Sequence, residues 1–415
     1  MADIEVHLDR PCGVQRVGTL HRQARRGGEA VAFEYHPDWL ADPDRFSLEP
    51  ALTLNRGAFA PGAGLAIFES IGDSAPDTWG RWLMQRAERR RAEREGRAVR
   101  TLAEADYLIG VADVSRLGAL RFRYSGGEAF EAPAAQGVPG LVELGRLMAV
   151  TDRILRDEET DADLQMIFAP GSSLGGARPK ASVIDQHGHL SIAKFPKPDD
   201  DYSVERWESV ALTLAGMAGV RVAAHELIEV AGQAILLSRR FDREGEGRIP
   251  FLSALSMMGL KDGERGSYPE LVDALVQTGA QARRDAAELY RRMVLNVLIS
   301  NVDDHLRNHG FLWLGQGGWT LSPAYDLNPT PVDVKARILT TTIDLDDGTC
   351  DLALVLSVAG LFSLSDAEAR DIVREVAQVT RGWRTVAAAA GARPAEIRRM
   401  ESAFEHDDLA KALAL

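Results

Sequence analysis

The sequence predicts an α+β protein with two lobes, a strand-rich lobe followed by a mainly helical one. Short apolar segments separated by turns dominate the first part of the chain, and longer segments with helical periodicity follow Ser253. At 415 residues the chain exceeds a single ordinary domain. We predict three parts, 1–125, 126–240 and 241–415, with the Gly- and Pro-rich stretch 126–140 as a linker.

Composition narrows the functional class. The apolar fraction of 45% is typical of a soluble globular protein, and the net charge of −13 argues against general nucleic-acid binding by the whole chain. The two cysteines, Cys12 and Cys350, are too few for a disulfide framework and lack metal-binding spacing. No apolar signal core or membrane span is visible, so we expect a cytoplasmic protein without membrane contact.

The N-terminal part begins with alternating apolar residues at Ile4–Leu8, which predict a strand, and a second strand is predicted at Ala30–Tyr35. A helix is expected from about Ser74, with Pro76 and Asp77 in its first turn. It becomes arginine-rich through Arg100. We favour a solvated helix face balanced by glutamates, with an anion- or partner-binding surface as the alternative.

The later elements follow from periodicity and turn residues. Helices are predicted at 141–157, Val204–Ala218 and Ala282–Ile299, and strands at 182–184, 190–195, His225–Val230, Ala234–Leu237, Gly310–Leu314 and within Gly315–Leu321.

The segment GSSLGGARPKA at 171–181 is rich in small residues that let backbone N–H groups approach a phosphate. Arg178 and Lys180 add positive charge. The segment is not a Walker A loop, because the lysine does not follow the second glycine, and an ordinary turn is equally compatible with it.

Lys194 is predicted on a strand, in SIAKF, with its side chain opposite to that of Ile192. In protein kinases such a lysine binds the α- and β-phosphates and pairs with a helix glutamate, for which Glu208 is the candidate. A surface strand lysine is the alternative.

The segment ILLSRRFDR, 235–243, suits a hinge between two lobes, where backbone groups of Ser238 to Arg240 could meet an adenine edge. Phe241 could pack near the base and Asp242 could accept a hydrogen bond from a ribose hydroxyl. An arginine–aspartate salt bridge at the strand end is the alternative.

NVDDHLRNHG, 301–310, holds the candidate catalytic residues. Asp303 and Asn308 have the D-x-x-x-x-N spacing of the protein-kinase catalytic loop, in which the carboxylate orients the acceptor hydroxyl and the amide oxygen binds Mg²⁺. Asp326 in YDLNP stands where a second magnesium ligand is expected. The rival interpretation uses His305 and His309, four residues apart, as ligands of a transition metal, although the chain lacks the Glu of an H-E-x-x-H motif. His305 as an organiser of the loop is the preferred alternative.

The motifs SSLGGARPK, SIAKF, SRRFDR, VDDHLRN and SPAYDL, in this order, resemble those of the HipA family of serine/threonine kinases from type II toxin–antitoxin modules. ESIGDSAPDTWGRWLM and YLIGVADVSRLGALRF are similar to the HipA N-terminal region. The resemblance implies a protein-kinase-like fold with an added N-terminal subdomain, and ATP and Mg²⁺ as ligands. It makes Asp303 the catalytic aspartate, with Asn308 and Asp326 as metal ligands and His305 beside them. The implied nucleotide-binding residues are Ser173, Gly175, Gly176, Ala177, Lys180, Lys194, Arg239, Phe241, Asp242, Asn308 and Asp326.

The resemblance also implies regulation and partners. The glycine-rich loop of this family can be autophosphorylated and thereby inactivated, and Ser173 or its neighbour Ser172 matches the modified serine. A protein substrate is implied, such as an aminoacyl-tRNA synthetase, as is a HipB-like helix-turn-helix antitoxin through which DNA is contacted. Two alternatives remain: a non-catalytic, nucleotide-binding co-repressor that partners a DNA-binding antitoxin, and a small-molecule kinase.

Overall fold

The structure, a computed structural model, describes residues 2–25, 28–131, 138–168 and 176–415. The chain forms two compact units. The first comprises Met1–Asp199, Val230–Gln233 and Leu237–Leu252, and the second comprises Asp200–Glu229, Ala234–Leu236 and Ser253–Leu415. The predicted division into three parts stays a prediction.

The N-terminal sheet of the first unit has the strand order β4-β3-β2-β1-β5. The predicted first strand is present, with Ile4, Val6 and Leu8 buried, but Glu5 and His7 on its other face are buried as well. Residues Gly13–Arg25, which we did not assign to a strand, form β2. The strands are β1 Ile4–Arg10, β2 Gly13–Arg25, β3 Gly28–Tyr35, β4 Ala58–Phe59 and β5 Leu120–Tyr124.

The arginine-rich helix α3 begins at Thr78, four residues later than predicted, because Asp77 is its N-cap and accepts a hydrogen bond from the Gly80 N–H at 2.8 Å. It ends at Arg94, since the chain turns at Gly96 with φ +61°. Trp79 and Leu83 of α3 pack against α5 and α6. The helices of this unit are α1 Pro37–Ala41, α2 Glu69–Gly72, α3 Thr78–Arg94, α4 Glu104–Ile109, α5 Leu144–Leu155 and α6 Asp161–Phe168.

A second sheet has the strand order β6-β7-β9-β8. The predicted hairpin around DQHGH is confirmed, and its register pairs Lys180 with Lys194 and Ile184 with Leu190. Short strands β10 to β12 follow. The bounds are β6 Lys180–Ile184, β7 Leu190–Lys194, β8 His225–Val230, β9 Gln233–Arg239, β10 Arg243–Glu244, β11 Gly247–Arg248 and β12 Phe251–Ser253.

The second unit is mainly helical, as predicted. Its central helix, α10, is buried along most of its length, and the hairpin of β13 and β14 follows it. The elements are α7 Val204–Met217, α8 Ala254–Met257, α9 Tyr268–Thr278, α10 Ala282–Leu298, β13 Gly310–Trp313, β14 Trp319–Leu321, α11 Leu352–Ser357, α12 Asp366–Thr380, α13 Trp383–Ala389, α14 Pro394–Arg399, α15 Glu401–Phe404 and α16 Asp407–Leu413.

Two predictions from composition can be compared with the fold. Cys12 and Cys350 are free thiols, which agrees with the absence of a disulfide framework. Within the described parts of the chain, every helix is too short or too polar to cross a membrane.

Candidate active site

The predicted catalytic loop connects α10 to β13 and is closed by hydrogen bonds of its own. Asn308 Nδ2 donates to the Asp303 carbonyl oxygen at 3.0 Å, and the Asn308 N–H donates to the His305 carbonyl oxygen at 2.8 Å. Leu306–Asn308 forms a 3₁₀ turn. The D-x-x-x-x-N spacing thus folds Asn308 back onto Asp303.

The two candidate residues differ in their surroundings. The Asp303 side chain is 62% exposed, and its Oδ1 lies 3.5 Å from Lys335 Nζ. Asn308 is buried, and its Oδ1 has no hydrogen-bond partner among the described residues. A buried, unpaired amide oxygen is costly for a folded protein unless a ligand binds there. Because Nδ2 is held by Asp303, this oxygen is fixed in place, and an oxygen ligand of this kind fits Mg²⁺.

Asp326 lies on a segment that is hydrogen-bonded to the catalytic loop. Tyr325 Oη donates to the Arg307 carbonyl oxygen at 2.7 Å, and the Asn328 N–H donates to Asn301 Oδ1 at 3.0 Å. The predicted residues Asp303, Asn308 and Asp326 therefore belong to one region of the second unit.

The backbone of Asp326 is left-handed, with φ +58°, which costs free energy for a residue other than glycine. Its N–H donates to Glu208 Oε1 at 3.1 Å, and Asn328 Nδ2 donates to Asp326 Oδ1 at 3.2 Å. Glu208, on α7, is itself buried. These contacts fix the carboxylate of a half-exposed residue, as a metal ligand requires.

The adjacent Asp304 has a structural role that sequence reasoning missed. Its carboxylate is buried and accepts a hydrogen bond from Tyr268 Oη, and His309 Nε2 lies 2.7 Å from its other oxygen. Asn296 Nδ2 donates to Tyr268 Oη at 2.9 Å, and Asn301 Nδ2 donates to Asn296 Oδ1 at 3.0 Å. This buried network holds the catalytic loop on α9 and α10.

The network also bears on the transition-metal alternative. His309 is buried against Asp304, and the 3₁₀ turn between His305 and His309 does not place them on one face of an α-helix. No group of three His, Cys, Asp or Glu side chains with metal-binding geometry occurs among the described residues. His305 closes the loop through its backbone, while its ring Nδ1 is buried without a hydrogen-bond partner in the described structure.

A cavity of about 330 Å³ lies beside the catalytic loop, within the second unit. His305, Leu306 and Arg307 form one side of it, and the segment 262–266 and Thr340 line the rest. Arg307 Nε lies 3.1 Å from Asp262 Oδ1. The lining thus includes three residues of the catalytic loop, while Asp303 itself is not among the lining residues.

In the first unit, Lys180 and Lys194 are register partners on β6 and β7. Lys180 is buried, and its Nζ lies 2.8 Å from Asp77 Oδ2, so this ammonium group has an anionic partner inside the protein. The positive charge that we assigned to phosphate binding is therefore paired with a carboxylate. Lys194 and Glu208 belong to different units, and their pairing stays a prediction.

The glycine-rich segment lies partly outside the described residues, and Ser172, Ser173 and Gly175 are among those that are not described. Gly176 is half-buried with φ +111°, and Ala177 is exposed. The assignments of the loop to nucleotide binding and of the serines to autophosphorylation stay predictions.

The predicted hinge contains a buried salt bridge. Arg240 and Asp242 have no exposed side-chain surface, and the Asp242 carboxylate accepts hydrogen bonds from Arg240, Arg243 and the Gly118 N–H. Burial works to raise the pKa of Asp242, but the two arginine charges outweigh it and lower the pKa to about 2.

The pair of Arg240 and Asp242 joins the predicted hinge to residues 115–118. Arg240 donates hydrogen bonds to the carbonyl oxygens of Ser115 and Arg116, while Asp242 accepts the bond from the Gly118 N–H. Asp242 thus forms the salt bridge that we gave as the alternative, and its contact with a ribose hydroxyl stays a prediction. Arg239 is exposed and Phe241 half-buried at the same segment, and their contact with adenine stays a prediction.

Most arginines of α3 are paired with carboxylates, whereas the favoured interpretation named Glu88, Glu93 and Glu95 as the balancing acids. Arg81 pairs with Glu104, Arg86 and Arg90 pair with Glu159, and Arg94 pairs with Asp161, whereas Arg97 beyond the helix pairs with Glu88 and Glu95. Several of these acids come from other elements than α3, which the sequence did not indicate. The pairs neutralise much of the positive charge of this helix.

Two family models match this chain in successive stretches, and two solved structures can be aligned with it. The family model "HipA-like C-terminal domain" matches residues 172–383, and "HipA N-terminal domain" matches residues 5–106. HipA from a Shewanella oneidensis MR-1 complex of HipA, HipB and operator DNA aligns over 99% of this chain and 94% of its own, with a TM-score of 0.65 and 19% identity. The Helicobacter pylori proinflammatory kinase CtkA aligns over 58% of this chain and 92% of its own, with a TM-score of 0.42 and 15% identity.

Two curated relatives carry kinase names. The Sinorhizobium fredii protein named "Putative kinase Y4dM" is 31% identical over 32% of this chain and 36% of its own length. A Haemophilus influenzae protein named "Putative kinase" is 22% identical over 41% of this chain and 57% of its own. The chain thus matches about a third and somewhat more than half of the lengths of these relatives. Because the C-terminal family model alone spans half of the sequence, and the N-terminal one precedes it in the expected order, this chain belongs to the HipA family.

Proposed function

We propose that this chain is an ATP- and Mg²⁺-dependent serine/threonine protein kinase that acts as a HipA-like toxin. The observation that carries the proposal is the pairing of an exposed Asp303 carboxylate with a buried, unpaired Asn308 Oδ1 in one closed loop. Asp326, held in a left-handed conformation on a segment bonded to this loop, completes the set.

Each of the candidate residues has a separate role in the proposed phosphoryl transfer. The hydroxyl oxygen of the acceptor forms a bond to the γ-phosphorus, the bond from that phosphorus to the ADP oxygen breaks, and the hydroxyl proton passes to Asp303. Asn308 Oδ1 and the Asp326 carboxylate would hold Mg²⁺, which neutralises charge on the phosphates when it is bound. Lys194 would bind the α- and β-phosphates and pair with Glu208.

The exposure of Asp303 favours a large acceptor. A carboxylate with 62% of its surface exposed leaves room for a polypeptide side chain to approach from solvent. We therefore prefer a protein acceptor to a small molecule. Family membership further supports self-inactivation by phosphorylation at Ser172 or Ser173, and a HipB-like antitoxin as the partner that contacts DNA.

Transfer of labelled γ-phosphate from ATP to the proteins of a bacterial extract tests the proposal. The chain is incubated with and without EDTA, and the modified residues are identified by phosphoamino acid analysis. We expect Mg²⁺-dependent label on serine or threonine, and a loss of about 10³-fold in Asp303→Asn. Asp346→Asn, at an exposed carboxylate away from the loop, is the matched control and should transfer normally. Equal transfer by Asp303→Asn, or no transfer by the unaltered chain, would contradict the proposal.

A further inference from the structure

A buried ion pair joins the two family domains inside the first unit. Asp77 lies in the region matched by the HipA N-terminal domain, and Lys180 lies in the region matched by the C-terminal domain. Lys180 Nζ is 2.8 Å from Asp77 Oδ2, and the two side chains are 2% and 3% exposed. A pair so well shielded from water is screened little by salt, and each charge depends on the other.

The same two positions make further contacts. Asp77 Oδ1 caps α3 by accepting the Gly80 N–H, so one carboxylate serves the helix and the lysine together. Trp79 Nε1 donates to the Lys180 carbonyl oxygen at 3.2 Å, and the Trp79 N–H donates to the Gly176 carbonyl oxygen at 3.4 Å. The start of α3 is therefore bonded to both ends of the segment Gly176–Lys180.

The backbone conformation and the surroundings of Gly176 favour glycine at this position. Its φ is +111°, and a Cβ at this position would lie 3.2 Å from Lys180 Nζ. The backbone at the end of the glycine-rich segment thus passes directly over the ammonium group that Asp77 holds.

We propose that Asp77 is a positioning residue for nucleotide binding, through which the N-terminal domain sets the geometry of the backbone segment Gly176–Lys180. The Lys180 ammonium group forms its ion pair with Asp77 inside the protein, and this pair fixes the conformation of the backbone from Gly176 to Lys180. The inference rests on the proposed function, since it assigns a second domain to the same ATP site.

Isothermal titration of the full-length chain with ATP and Mg²⁺ tests this inference. Asp77→Asn keeps an oxygen that can cap α3 but removes the charge opposite Lys180. We expect the dissociation constant for ATP to rise about tenfold or more. Trp79→Phe removes the indole donor to Lys180 together with part of the buried ring, and it should weaken ATP binding in the same direction.

The control is a second buried pair on the same helix. Glu159 is 3% exposed and pairs with Arg86 of α3 at 2.6 Å, so Glu159→Gln removes a comparable charge. We expect it to lower the melting temperature without changing the ATP dissociation constant, which separates positioning from stability. Each titration is made well below the melting temperature of the variant.

A double variant distinguishes positioning from direct phosphate binding. Asp77→Asn/Lys180→Met removes both charges of the pair together, so ATP should bind more tightly to it than to Asp77→Asn alone. ATP binding to Asp77→Asn as to the unaltered chain, or ATP binding by the double variant that is no tighter than by Asp77→Asn, would overturn the inference alone. Failure of the unaltered chain to bind ATP would overturn the proposed function and this inference with it.

Discussion

Replacement of Tyr268 by Phe tests the buried network beneath the catalytic loop. Tyr268 is fully buried, and its hydroxyl donates to Asp304 Oδ2 and accepts from Asn296 Nδ2. Burial first, and then the charge of Asp304, raise the pKa of Tyr268 well above 10. The hydroxyl therefore stays a proton donor throughout the neutral range.

The expected loss in the free energy of unfolding depends on the polar groups that lose a hydrogen-bond partner in Tyr268→Phe. Phenylalanine keeps the ring and its edge contact with His309 but leaves a buried carboxylate oxygen and a buried amide N–H without this partner. Each such group costs about 1–3 kcal/mol, so Tyr268→Phe should lower the free energy of unfolding by roughly 2–6 kcal/mol. Tyr290→Phe is the control, because the buried Tyr290 hydroxyl makes one neutral bond, to the Val355 carbonyl oxygen, worth about 1 kcal/mol.

Urea denaturation compares the free energies of unfolding of the two variants. Hydrogen exchange of the peptides from α10 and the catalytic loop shows where the structure is destabilised. We expect the larger loss in Tyr268→Phe, together with faster exchange in the loop. Equal losses in the two variants, or a loss below about 1 kcal/mol in Tyr268→Phe, would refute the view that this network holds the loop.

Two further predictions concern pH and metal. Burial, helped by the charge of Arg337, lowers the pKa of His406 to about 4 in the folded protein. Since the unfolded chain binds this proton below about pH 6.5, the contribution of His406 to the free energy of unfolding is fully present above that pH. Up to about 3 kcal/mol of the free energy of unfolding should be lost as the pH falls from 6.5 to 4. Urea denaturation of His406→Asn, which keeps an N-cap acceptor for α16, should show a smaller loss over that window, and an unchanged pH profile would contradict the prediction. Asn308→Ala should raise the Mg²⁺ concentration for half-maximal phosphate transfer on the order of 100-fold. The exposed Asn55→Ala is the control, and an unchanged Mg²⁺ requirement in Asn308→Ala would remove Asn308 from the metal site.

Sequence reasoning located the elements whose causes are local. The hairpin of β6 and β7 follows from alternation around a turn, and α10 follows from its periodicity, so both were placed closely. The start of α3 was placed four residues early because Pro76 and Asp77 suit either a first turn or a cap. The capping bond to Gly80 decides between them.

The surroundings of two candidate nucleotide-binding residues could be predicted only in part. We assign Asp242 and Lys180 to nucleotide binding because charged residues near a glycine-rich loop or hinge often bind phosphate or ribose. In the structure their ion-pair partners are Arg240 and Asp77. Arg240 belongs to the same motif as Asp242, so this salt bridge could be given as an alternative, whereas Asp77 is about a hundred residues away from Lys180 in the sequence. Spacing within a motif cannot reveal so distant a partner, and the bond from Tyr268 to Asp304 was overlooked for the same reason.

Mass-spectrometric mapping of the chain after incubation with ATP and Mg²⁺ tests the central claim, phosphoryl transfer by this loop, most directly. The starting protein is first shown to be unphosphorylated and able to bind ATP. We expect phosphate on Ser172 or Ser173 in the unaltered chain and none in Asp303→Asn. Unmodified serines in an ATP-binding chain, or equal modification in Asp303→Asn, would contradict the account, and the former result would favour a nucleotide-binding co-repressor.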